Sequence, residues 1–476
     1  MDLTWAALLA ILCLASWLAA RHKPPPCPPW VVQWVLWLAI FAGVVFVWLL
    51  FWEVSPLVRW LLILLTVLWI VWWFIYRWRC PAVSCTVAVE AIRFNHNSAS
   101  ATTDALSIRK DYGTPVGVPE WTAGETLPEE SPAAYAILET QGQTVTVQVK
   151  FRITPTSVTQ AEIRAEGGGG LGTLDAQSVQ FSSGVSSPEF VTFNLNHQQI
   201  GAAGVRREDI EWRWKYRCPG ESGWRDADVT RHRIYIVLET PKAPWDQTPG
   251  STSNPWTDVL DYACAWADGE SARDTAAGAV TEDVNGALAL TYDMASGASK
   301  YTTPAAGQYF ECTQFIDYLE NGTGLGNVVN CTDCATIVTT FANVLGCDLH
   351  ASRRQSYFDL TPIKALGQAA CGCPNWGCGF SYHEVAWKGA GGESDELFDA
   401  CLQVDGDTDP WSPPHTDLLP VNVPFTSLPG APLPIPTPLS AATYRERLCT
   451  NDVGGIGSCN ATSPWGGSNN GRRTVI

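Results

Sequence analysis

A nucleophile, a base and a group that orients the base are the parts of a covalent acyl-transfer site, and cysteine, histidine and aspartate can fill those roles. The chain offers one of each in that order. Cys331 opens the run Cys331-Thr332-Asp333-Cys334-Ala335-Thr336-Ile337-Val338, just after the Gly-rich run Asn321-Gly322-Thr323-Gly324-Leu325-Gly326. His383 sits in Tyr382-His383-Glu384-Val385-Ala386-Trp387, and Asp399 follows Leu397-Phe398. A thiol at the start of a helix meets partial positive charge and backbone N–H groups, which favour the thiolate.

The elements that must hold these residues are legible around them. Ala335, Val338, Ala342 and Leu345 recur at helical spacing, and Gly346 ends the pattern, so a helix is expected to begin at Cys331. The segment holding His383 and the one ending at Asp399 read as short strands. Cys-x-Asp-x-Ala leading a helix that ends in Leu-Gly, then a His-x-x-x-Trp strand, then Asp after a short hairpin, resembles the transglutaminase-like superfamily of papain-type cysteine enzymes. The resemblance spans roughly residues 255 to 410. It implies an α+β fold with Cys331 as nucleophile, His383 as base and Asp399 as orienting carboxylate, and Ala335, Leu345 and Gly346 as structural positions of the helix. Cys347 stands where the pattern has a small apolar residue.

Rival readings exist for each residue. Cys331 and Cys334 make a Cys-x-x-Cys pair, which elsewhere signals redox chemistry or half a metal site; the register of the resemblance selects Cys331. A lone histidine is ordinarily a satisfied core residue. Asp399 competes with Asp395, Asp405, Asp407 and Asp409, and its apolar neighbours favour it. The run Asp405-Gly406-Asp407-Thr408-Asp409 is too short for a calcium loop and lacks the closing glutamate, so it reads as a solvated acidic loop. Cys371, Cys373 and Cys378, with Cys401, suit either a tetrahedral zinc or disulfides. No cofactor or metal is assigned. Sequons at Asn321, Asn330 and Asn460 are too common a pattern to weigh.

The chain has 476 residues and a formal net charge of -17 without basic clusters. That balance argues against a nucleic-acid partner. Three apolar runs, Leu3 to Ala20, Trp30 to Trp52 and Leu57 to Tyr76, suggest three transmembrane helices, with aromatic residues near their ends. This predicts a multi-pass membrane protein with the lipid membrane as a partner. Arg21, Lys23, Arg77 and Arg79 place the C-terminal domains on the cytoplasmic side, whereas 13 cysteines from Cys85 onward suit an oxidising, exoplasmic one.

From Ser84 to Thr240 the period is two, as in Val145, Val147, Val149, Phe151 and Ile153, which suggests an all-β sandwich. Trp212, Trp214 and Tyr216 form a stripe that is either a core face or a ligand platform. Residues 241–255 read as a linker, 258–292 as helical with Thr281-Glu282-Asp283 as a start signal, and Gln314 to Leu319 as a short helix. The expected organisation is multi-domain: membrane helices over 1–80, a β-sandwich over 84–240, a transglutaminase-like α+β domain over 255–412, and a Pro-rich segment with a mobile tail over 413–476. The expected function is a membrane-anchored cysteine enzyme that cleaves amide bonds of a protein or peptide substrate. Acyl transfer to an amine and a non-catalytic scaffold are the alternatives.

Overall fold

The strand signature in the first half is strict alternation. In Thr146–Thr154 (β4) Val147, Val149, Phe151 and Ile153 are all buried while their neighbours are partly or fully exposed, as a strand with one wet face requires. The computed structural model describes residues 84–97, 101–195, 200, 202–303, 309–354, 358–359, 364–367, 379–380, 382–388, 395–403, 439–440, 444 and 472–476. It divides into two units: 1–85 with 217–224, and 86–216 with 225–476. In the smaller unit Cys85 and Cys218 form a disulfide.

Ten strands make one sheet: Thr86–Arg93 (β1), Trp121–Thr122 (β2), Pro132–Ala136 (β3), β4, Gln160–Gly167 (β5), Leu174–Ser182 (β6), Val185–Ser186 (β7), Val191–Asn194 (β8), Arg206–Arg217 (β9) and Arg225–Val237 (β10). The order is β2-β1-β4-β7-β6-β5-β9-β10-β3, with β8 also on β4. This corrects the sandwich expectation: the domain is a curled, mixed sheet, not two stacked ones. The reason is local. The two-residue β7 pairs with β4 through Val185 and with β6 through Phe181 and Ser186, so the hydrogen-bonded path is unbroken. Register shifts in β1, β5 and β10 add curl, and β3 joins β10 in parallel. The Trp212–Trp214–Tyr216 stripe is core. All three are buried, and Trp214 packs edge-on against Phe151 and Phe193.

Four helices of ten or more residues follow among the described residues: Thr257–Trp266 (α1), Arg273–Gly286 (α2), Cys312–Asn321 (α3) and Cys331–Val344 (α4). Thr281 does not start a helix; it lies inside α2 and returns its hydroxyl to the Ala277 carbonyl at 2.7 Å. The stretch 241–255 is packed rather than free: Trp245 is buried and donates to the Thr340 carbonyl.

No helix among the described residues is long and apolar enough to cross a membrane. The longest have 14 residues, which span about 21 Å against a hydrocarbon core of about 30 Å. The expectations of N-terminal transmembrane helices and of a multi-pass membrane localisation are corrected on this finding. The apolar runs that prompted them fall in residues 1–80, outside the described residues, as do Cys371, Cys373, Cys378 and the run 405–409.

Candidate active site

Helix α4 begins at Cys331 itself. Asn330 caps it, its side chain accepting from the Asp333 N–H at 3.0 Å while the Asp333 carboxylate accepts from the Asn330 N–H at 3.3 Å. Asp333 also accepts from the N–H groups of Lys300, Tyr301 and Thr302 at 2.7, 3.0 and 2.8 Å. One buried carboxylate therefore ties the helix start to a neighbouring loop. Burial pushes it up to about 6 despite those amides. All fourteen residues of α4 are buried, so its apolar stripe understates its environment. At its other end Gly346 has φ of 93°, and a Cβ there would lie 2.9 Å from both the N and O of Glu239. Only glycine fits that exit.

His383 comes from the strand His383–Trp387, which pairs antiparallel with His350–Arg354 on one side and Glu396–Phe398 on the other. The pairs Trp387↔Leu397 and Ala386↔Phe398 fix the register. Continuing it sets Asp399 opposite Val385, on the same face as His383 and one diagonal step away. The sheet thus delivers the acid to the imidazole. Nε2 of His383 lies 2.7 Å from Oδ2 of Asp399. The other carboxylate oxygen accepts from the N–H groups of Cys401 and Leu402 at 2.7 and 3.3 Å. Cys331 is a close electrostatic neighbour of the imidazole, and Nε2 is taken by Asp399, which leaves Nδ1 as the ring nitrogen for the sulfur. All three predicted residues are buried and brought together.

Burial alone would drive the imidazolium to lose its proton. Asp399, by charge and hydrogen bond, and Cys331 outweigh it and hold His383 up to about 10. The arrangement favours a charged histidine beside the sulfur at neutral pH. Cys334 lies one turn further along α4, and the Cys401 thiol is its close neighbour. Burial pushes the Cys401 thiol well up, and the Cys334 thiol is also raised. Asp395, the rival acid within the described residues, is half-buried at the far end of the strand that leads to Asp399.

Two participants escape sequence reading. Tyr444 donates its hydroxyl to Oδ2 of Asp399, lies 3.2 Å from Nε2 of His383, and stacks on the imidazole at 6.3 Å, as does Phe380 at 5.7 Å. Arg473 donates to Glu384, the residue after His383, at 2.6 Å, and to the Thr336 hydroxyl on α4 at 2.6 Å. Thr332 closes this group 2.9 Å from the second oxygen of Glu384. Neither Tyr444 nor Arg473 stands in a periodic segment, so nothing in the sequence links them to the site. The sequon residue Asn330 is buried and occupied as the helix cap.

No family model and no curated protein matches the chain. Among solved structures it is similar to a red sea bream transglutaminase, at 10% identity and a TM-score of 0.33. The match covers 67% of this chain and 53% of the other, so the chain spans about half of that protein's length. This is a weak likeness to a transglutaminase fold. The chemistry has to be read from the chain's own residues.

Proposed function

We propose that the chain is a cysteine enzyme of transglutaminase-like type that acts on amide bonds of a protein or peptide substrate. The observation that supports this best is the buried His383–Asp399 pair at 2.7 Å, with Cys331 beside the same imidazole at the start of α4. The Cys331 sulfur attacks the amide carbonyl carbon, and the carbonyl oxygen takes the negative charge. The first backbone N–H groups of α4 would be the donors for such an oxyanion. The tetrahedral adduct collapses with cleavage of the C–N bond, and the imidazolium gives its proton to the departing nitrogen. An acyl thioester on Cys331 remains, with neutral His383 beside it. Water or an amine, deprotonated by His383, then attacks the thioester and frees the sulfur. Asp399 holds the ring so that the nitrogen facing Cys331 carries out each transfer.

Water as acceptor makes a hydrolase, the favoured outcome; an amine makes a crosslinking transferase. Reaction of the full chain with a thiol-reactive amide-mimic probe, followed by mass-spectrometric location of the label, tests the reading. Label confined to Cys331 is the expected result. Label elsewhere, or none, would leave a binding module. Adding a primary amine during turnover of a peptide substrate then separates the two acceptors by the mass of the product.

A further inference from the structure

We infer that Tyr444 is a fourth, positioning member of this site, sharing the Asp399 carboxylate with His383 and thereby setting how strongly that carboxylate holds the imidazolium. The inference rests on the cysteine chemistry proposed above. Its basis is geometric. Oδ2 of Asp399 takes two donors, Nε2 of His383 at 2.7 Å and the Tyr444 hydroxyl. The phenol oxygen is itself 3.2 Å from Nε2, and the two rings lie within 16° of parallel. All three residues are fully or almost fully buried, so no solvent competes for the carboxylate. A second donor on an oxygen disperses its charge and weakens its grip on the first. Tyr444 therefore restrains Asp399, while its ring helps fix the imidazole plane.

The groups around the pair leave that effect readable. On α4 stand Cys331, Asp333 and Cys334, and Cys401 neighbours Cys334. Tyr292 faces Cys331, Cys401 and Tyr382. Glu384, next to His383, is neutralised by Arg473 at 2.6 Å. Burial holds Tyr292, Tyr444 and Cys401 in their neutral forms through the working range, and the Cys334 thiol is raised as well. Asp333, two residues along α4 and pushed by burial up to about 6, titrates well below His383.

The test is the pH dependence of Cys331 alkylation by iodoacetamide in the full chain, read by mass spectrometry of the Cys331 peptide. The parent should show an upper step that reports loss of the imidazolium proton. Tyr444→Phe keeps the ring and removes the hydroxyl. It should move the upper step to higher pH by about 0.5–1 unit, the scale of part of one hydrogen bond to a charged group. Asp399→Asn should move it down. Tyr444→Met supplies a second hydroxyl-free variant if Phe does not fold. A Tyr444→Phe profile that coincides with the parent's, or moves with Asp399→Asn, overturns the inference, as does failure of both Tyr444 variants to fold. If the parent itself shows no step that Asp399→Asn moves, the cysteine-enzyme reading fails first and this one falls with it.

Discussion

Cys331 and Cys334 are one helical turn apart, share the same core and differ in their partners: the first meets an imidazole, the second a thiol. That difference predicts their roles. Cys331→Ala should abolish probe labelling and turnover, whereas Cys334→Ala should retain most of both, measured on the purified full chain. If Cys334→Ala is dead and Cys331→Ala active, the register is wrong. The His383–Asp399 pair also makes a statement about stability. The folded chain holds the His383 proton up to about 10, above the ordinary histidine value of about 6.5. A group raised in this way contributes stability that is complete below about 6.5 and fades as the pH rises through about 10. Asp399→Asn removes that hold. The gap in urea midpoint between parent and variant should therefore be large at pH 6 and shrink toward pH 10.5. A gap that is constant with pH would assign Asp399 a purely structural role.

Helix α4 depends on one carboxylate and one glycine. Asp333→Ala would strand the buried N–H groups of Asn330, Tyr301 and Thr302 and the part-buried one of Lys300. At about 1–3 kcal/mol for an unmet buried group, with some relief from entering water, a total loss of roughly 2–4 kcal/mol is expected. Urea unfolding measures it, and Cys331 labelling should fall in parallel; a loss under half a kcal/mol would contradict the clamp. What the sequence reveals at this scale follows from periodicity. The Cys331 helix, the His383 strand and the acid after Phe398 all stand at ends of regular segments, so their order and spacing were visible. Thr281 misled because a polar triplet inside a helix looks like a start until its hydroxyl is seen bonding back to Ala277. The curled sheet was hidden because β2 and β7 have two residues each, too few to carry a period, and β7 is the link that keeps β4 and β6 in one sheet. Tyr444 reaches Asp399 from 45 positions away in the chain, and proximity of that kind has no local signature.

Across the larger unit, distant segments converge on the site. Thr474–Val475 adds in parallel to Tyr309–Phe310, and beside it Arg473 joins α4 and the His383 strand through Thr336 and Glu384. Both members of the Arg473–Glu384 pair are almost wholly buried. Removing one partner of such a pair leaves an uncompensated charge, and Arg473→Ala should cost about 3–5 kcal/mol. Arg473→Met with Glu384→Gln should recover part of that loss in denaturant unfolding; equal losses in the single and double variants would mean the charge pair is incidental. The central claim is narrower than this framework: His383, held by Asp399, makes Cys331 reactive. The rate at which the amide-mimic probe labels Cys331 in the parent and in His383→Ala tests it most directly. His383→Ala should lower that rate roughly 10²–10⁴-fold, the usual scale for a lost general base, while remaining folded. Equal rates in the two proteins would contradict it.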